Sequence, residues 1–254
     1  MRALTEKEKG IVLLLTKDFA AHYNARSLSK LVGLSPRGAL KALKFLEQNG
    51  IVASTRIGKA LIYRLTFDDY AQRLASLFLF EEAQTKALRW IKEFKEFKQA
   101  TALVLFGSVL RTNKHNDIDV LILADEKDYA ALEHLVREKN NILVKPLHPV
   151  WQVRSDLEKN LRKPDQVVLE IMKTGIVLKG QDVIVEVLAS VARKWGDSLA
   201  VILPREVVKK ENIHRNDRIR LSVKKGVDIS RFFGCWKTKK TAQELKDESR
   251  SGWE

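Results

Sequence analysis

Residues 105–123, LFGSVLRTNKHNDIDVLIL, bring a glycine-serine pair and two aspartates into one short stretch. Each residue type suits the handling of a phosphate. A glycine lets backbone approach a phosphate closely, and a serine adds N–H and hydroxyl donors. Asp117 and Asp119 are two residues apart on a strand-like run, so they share one side, about 6–7 Å apart at their Cα atoms. Two carboxylates so placed can chelate the same divalent cations. Gly107 and Ser108 are therefore candidate phosphate contacts, and Asp117 and Asp119 are candidate metal ligands. An exposed strand start would also accept two acids.

Flanking elements must hold these groups in place. TALVLF, residues 101–106, has the length and branching of a buried strand. In DIDVLIL, alternation puts Asp117, Asp119 and Leu121 on one side and Ile118, Val120 and Ile122 on the other. The next strand expected is NILVKPLHPV, residues 141–150, which carries no Asp or Glu. Asp156 and Glu158 follow in a polar helical stretch. The five histidines (His22, His115, His134, His148, His214) show no metal-ligand spacing.

This layout of strand, Gly-Ser, spacer and Asp-apolar-Asp resembles the DNA polymerase β-like nucleotidyltransferase superfamily, most closely its minimal branch. The resemblance implies a mixed α/β domain in which Gly107 and Ser108 hold a nucleoside triphosphate. It also implies that Asp117 and Asp119 bind Mg2+, and that Arg111 stands near the family's usual arginine. The sequence departs from the family pattern in two places. The spacer VLRTNKHN is shorter by about two residues. The third carboxylate is missing, with Val144, Lys145 or a neighbour expected in its place.

Charge divides the 254-residue chain. Its net charge of +14 makes polyanions the first partners to consider. Residues 1–66 hold twelve basic and four acidic residues, residues 67–185 hold eighteen of each, and residues 186–254 hold sixteen and ten. Two basic ends thus flank a neutral middle. No apolar run approaches the roughly 18 residues of a membrane span. The N-terminus does not read as a signal peptide, and the single Cys235 rules out an internal disulfide. A cytoplasmic protein with no membrane partner is expected.

In the basic N-terminal block, Thr5 and Glu8 form a capping-box pattern that starts a helix through about Phe19. SLSKLVGL gives a second short helix with Leu28, Leu31 and Val32 on one face. Ser35-Pro36 heads a third helix, 36–48. On it Arg37, Lys41, Lys44 and Gln48 form one stripe, while Leu40, Leu43 and Leu46 suit the core. IVASTRIGKALIYRLT reads as two strands joined by a basic turn. This order resembles the winged helix-turn-helix family. It implies a recognition helix at 36–48 on double-stranded DNA, with Arg56 and Lys59 as a phosphate-touching wing. A solvated basic face or a protein-binding winged helix is the alternative. Residues 67–100 read as a helical linker with aromatic residues recurring among Lys and Glu.

At the other end, VARKWGDSLAVILPREVVKKENIHRNDRIRLSVKKG reads as strand, Pro204-capped short helix, turn and strand. It resembles the AbrB-like swapped-hairpin family, which includes MazE-type antitoxins. The resemblance implies a dimeric β-barrel over 186–226, with Arg193, Lys194 and Ser198 as DNA-binding positions. The tail, 227–254, is similar to antitoxin tails that dock on a toxin, with Phe232, Phe233, Trp236, Leu245 and Trp253 as anchors. It could equally pack on its own domain. The fold class expected is thus α+β and multidomain: a winged helix (1–66), the linker (67–100), a nucleotidyltransferase-like domain (101–185), the barrel and the tail. The function expected is a homodimeric DNA-binding transcriptional regulator with a degenerate nucleotidyltransferase-like domain. An active transferase using Mg2+ and a nucleoside triphosphate on a protein or nucleic acid is one alternative. The antitoxin of a toxin-antitoxin pair is the other.

Overall fold

The computed structural model describes residues 2–112 and 116–195, and beyond them only the single positions 208 and 212. Helix α1 (Glu6–Lys17) starts as expected, with the Thr5 hydroxyl accepting from the Glu8 N–H and the Glu8 carboxylate returning to the Thr5 N–H. Arg2 also clamps Glu8, and these donors hold the Glu8 carboxyl at about 2. A carboxylate depressed below its unfolded value near 4.5 adds stability that is present above that value and lost as pH falls through about 2. Chemical denaturation of Glu8→Gln between pH 6 and 2 should therefore give a flatter stability profile than the parent.

Helix α2 (Ala25–Val32) starts two residues earlier than SLSKLVGL, because Asn24 caps it by accepting from the Ser27 N–H. Gly33 adopts φ 64°, a left-handed turn that closes the helix, and the Lys7 ammonium bonds the Val32 carbonyl there. Helix α3 (Pro36–Gln48) has the expected bounds, with Ser35 as cap and Pro36 at its head. Strands β1 (Val52–Ile57) and β2 (Ala60–Leu65) pair antiparallel around Gly58-Lys59. Leu40, expected in the core, is exposed instead, and so is Leu31, which shares its expected face with the buried Leu28. The buried face of α3 is Ala39, Ala42, Leu43 and Leu46, so its seam lies one position round from the leucine count.

Residues 67–100 form α4 (Asp69–Lys86) and α5 (Leu88–Glu93). This stretch is no spacer. Ala71, Ala75, Phe78 and Leu79 of α4 are buried in one cluster with Ile11, Val12 and Leu15 of α1 and with Val187, Leu188 and Val191 further on. Lys17 and Glu82 join α1 to α4 by a buried ion pair of 2.9 Å. The winged helix and the central sheet thus share a core, and a shared apolar core resists relative motion better than a polar linker would.

The central sheet has strand order β5-β4-β3-β6. Strand β3 (Ala102–Phe106) pairs antiparallel with β4 (Ile118–Leu123) and with β6 (Ile176–Lys179), and β4 runs parallel to β5 (Leu147–Gln152). Alternation on β4 holds: Ile118, Val120 and Ile122 pack in one cluster, with Leu132 and Val136 of α6 (Tyr129–Ile142). Leu121 and Leu123 pack in the other, with α7 (Arg154–Arg162), α8 (Gln166–Thr174) and α9 (Gln181–Trp195).

Two expectations fail here. The strand placed at 141–150 begins at Leu147, because α6 runs on to Ile142 and Asn140 accepts from the Leu147 N–H at 2.7 Å. Ile142 and Val144, read as strand residues, are exposed. Pro149, which lacks an N–H, is tolerated because β5 is the sheet edge. Residues 191–195, read as the head of a strand, end helix α9 instead, and that helix crosses the boundary drawn at 186. The barrel beyond it, Ser198 and the tail anchors Phe232, Phe233, Trp236, Leu245 and Trp253 lie outside the described residues, as do the side chains of Arg193 and Lys194.

Candidate functional site

Phe106, Asp119 and His148 are in register across β3, β4 and β5. In-register neighbours point to the same side of a sheet, so His148 stands beside the aspartates. Just after Phe106 the chain turns into a 3-10 turn, Gly107–Leu110. Gly107 holds φ 83°, and a Cβ there would come within 2.2 Å of Asp119 Oδ2. Only glycine leaves room for that carboxylate, and the Gly107–Asp119 approach is therefore built into the backbone. Ser108 Oγ lies 3.5 Å from Asp117 Oδ1. His148 Nδ1 lies 3.5 Å from Asp117 Oδ2.

The sequence thus places Gly107, Ser108, Asp117 and Asp119 together, and the structure brings them to one sheet end. His148, which shows no metal-ligand spacing in the sequence, joins them. The position facing Asp119, assigned in sequence to Val144, Lys145 or a neighbour, is occupied by this imidazole. The signal that could have found it is Pro146, which directly precedes the edge strand and accepts from the Ile118 N–H. Asp156 and Glu158 do not enter the cluster; Glu158 is engaged by Arg154 and Arg162 on its own helix. Partial burial raises the Asp119 carboxyl above its ordinary value, the Asp117 charge adds to this, and His148 opposes it. A divalent cation would relieve that repulsion.

A cleft of about 400 Å3 opens beside the glycine turn. Gly107 and Arg111 form one wall, and Gln166, Val167, Glu170 and Thr174 of α8 form the other. Asp165 caps α8 by accepting from the Val167 and Val168 N–H groups. Helix α8 packs through Val168, Ile171 and Met172 on the sheet face that carries Leu121 and Leu123, which is also the face of Asp119. Arg111 is exposed at the cleft mouth.

The second candidate surface is the winged helix. Arg37, Lys41, Lys44 and Gln48 are all exposed on α3, and Arg56 and Lys59 are exposed at the wing. Among the described residues no ion pair engages any of these five cations. Glu47, the one acid on α3, is turned away to accept from the Ser54 N–H and hydroxyl of β1. The helix therefore presents its positive charges without a counter-charge of its own.

Residues 88–178 match the nucleotidyltransferase domain family, and residues 192–229 match the family described as antidote-toxin recognition MazE, bacterial antitoxin. No curated protein matches the chain. Among solved structures, the adhesin competence repressor AdcR from Streptococcus pyogenes is similar at 20% identity over 37% of this chain and 69% of that one, with a TM-score of 0.30. ZitR from Lactococcus lactis, a zinc-responsive MarR family member, is similar at 16% identity over 56% and 78%, with a TM-score of 0.29. A ZitR mutant in complex with DNA aligns at 17% identity over 56% and 77%, with a TM-score of 0.27. At these scores the structural likenesses carry no argument about this chain. No helix among the described residues is long and apolar enough to cross a membrane. The chain carries a nucleotidyltransferase domain and a MazE-like segment behind an N-terminal winged helix.

Proposed function

We propose that the protein is a homodimeric, DNA-binding transcriptional regulator whose nucleotidyltransferase domain binds a nucleotide. The observation that carries this reading is the uncompensated cationic stripe Arg37, Lys41 and Lys44 on α3, flanked by Arg56 and Lys59. Long cationic side chains on one helical stripe reach both base edges and phosphate oxygens. Leu40, 37% exposed beside the stripe, is suited to a thymine methyl. Dimerisation rests on the MazE-like match at 192–229. A dimer presents two winged helices, and the second engagement is favoured by effective concentration. The test is fluorescence anisotropy of the full chain against duplexes from its own promoter region and unrelated duplexes. At least a tenfold preference for the promoter is expected, and equal binding to all sequences would remove the regulatory reading.

In the nucleotidyltransferase domain, Asp117 and Asp119 fit a divalent cation such as Mg2+, since the missing Gly107 side chain leaves the Asp119 carboxylate free beside the turn. When bound, such an ion neutralises phosphate charge and polarises the phosphoryl group. The chain's own residues do the positioning. Gly107 admits a phosphate to the backbone, Ser108 offers N–H and hydroxyl donors, and Arg111 supplies a cation at the mouth. The α8 wall, with an apolar Val167 and polar Gln166, Glu170 and Thr174, suits a base and sugar.

The Gly-Ser and Asp-x-Asp grouping also favours a second reading, transfer of a nucleotide to a protein or nucleic acid. Labelled ATP incubated with the full chain and its partners tests it. Absence of label, or label that survives Asp117→Ala with Asp119→Ala, removes that reading. The MazE-like match leaves a toxin as a further partner, which co-purification with and without residues 227–254 tests.

A further inference from the structure

We propose that Asp117, Asp119 and His148 form a mixed carboxylate-imidazole site that takes a first-row transition-metal dication in preference to Mg2+. The inference rests on the reading of Asp117 and Asp119 as metal ligands and adds the third ligand and the class of ion. Among the described residues this is the one group of three side chains able to hold a metal, with one ligand atom from each lying within 4.8 Å of the others.

The third ligand is set by the backbone. His148 faces Asp119 in the parallel β4–β5 register, and its neighbours Leu147 and Trp151 pack on the opposite face. The imidazole is therefore held on the carboxylate side by the pleat itself. Its Nδ1 lies 3.5 Å from Asp117 Oδ2. Donors about 2.1 Å from a metal with tetrahedral angles stand about 3.4 Å apart. An octahedral Mg2+ at about 2.1 Å asks for donors about 3.0 Å apart. The His148–Asp117 spacing of 3.5 Å fits the first arrangement with little movement.

Ligand chemistry points the same way. Mg2+ binds oxygen donors and keeps several waters, and an imidazole offers it little. Imidazole suits Zn2+ and its first-row neighbours, whose affinity for a mixed nitrogen and oxygen site rises along the series. Two carboxylates and one neutral imidazole also leave a net negative site that matches a dication. The side chain of His148 is 59% exposed, so an ion can enter from solvent without rearrangement of the core.

The test is isothermal titration of the full chain with Zn2+ and, separately, with Mg2+. Visible absorption of a Co2+ complex serves as a second readout of nitrogen ligation. The parent should bind Zn2+ at least tenfold more tightly than Mg2+. His148→Ala should weaken Zn2+ at least tenfold while Mg2+ changes less than twofold, with an unaltered circular dichroism spectrum. His148→Asp should raise the affinity for Mg2+. Zn2+ binding lost in Asp117→Asn with Asp119→Asn but untouched by His148→Ala would overturn this inference and leave the carboxylate site standing. No binding of either ion by the parent would overturn both.

Discussion

The variant Arg37→Ala, Lys41→Ala, Lys44→Ala should bind its duplex about a thousandfold more weakly than the parent for each winged helix engaged, taking about 1.4 kcal/mol for each contact. All three side chains are exposed on α3, so their removal leaves the buried face of Ala39, Ala42, Leu43 and Leu46 intact. Alanine is also a better helix former than lysine or arginine, and the helix should not loosen. The loss should therefore appear in binding and not in the melting curve. Each lost phosphate contact removes about 0.9 from the salt slope, so the slope should shrink by up to about 3 for each winged helix engaged. A matched control is Lys92→Ala, Lys95→Ala, Lys98→Ala, three exposed cations from the charge-balanced middle of the chain. The same loss in both variants would mean that total charge, and not the α3 stripe, holds the DNA.

Glu82→Ala should cost about 3 kcal/mol of stability, the largest single-residue effect expected away from the sites. Lys17 and Glu82 are 10% and 6% exposed at their side chains and meet at 2.9 Å, and Lys86 approaches the same carboxylate at 3.1 Å. Burial already lowers the Lys17 ammonium below its ordinary value, with the Glu82 charge opposing. Without Glu82 an ammonium is stranded where α1 meets α4, and it sheds its proton or admits water. For a unit of this size the melting temperature should fall by about 10 °C. Lys17→Met combined with Glu82→Leu should recover much of the loss, since a packed apolar pair often replaces a buried ion pair without penalty. Failure of the double variant to recover would show that the pair itself, and not the stranded charge, stabilises the joint.

Local patterns made the winged helix and the first half of the central site legible in the sequence. Helix α3 could be bounded by residue because Ser35, Pro36 and Asn49-Gly50 each carry a local backbone preference. Asp117 and Asp119 could be placed because alternation on a buried strand fixes which side each residue faces. The rest depended on tertiary partners. Leu31 and Leu40 satisfy helical spacing yet lie exposed, because α2 and α3 bury other faces against each other, against α1 and against the β1–β2 hairpin. NILV at 141–144 has strand-like composition, but Asn140 ties the end of α6 to Leu147 and keeps those residues out of the sheet. His148 was hidden for the same reason: a six-residue error in the strand start conceals its register with Asp119. The role of α4 in the shared core was equally unreadable, since Phe78 is buried and Phe80 exposed within one aromatic run.

The affinity of the parent chain for its duplex at about 50 and about 200 mM salt tests DNA binding most directly. Six to ten phosphate contacts from two winged helices predict a loss of about a thousandfold or more between the two conditions. A loss of less than tenfold would contradict the DNA-binding assignment.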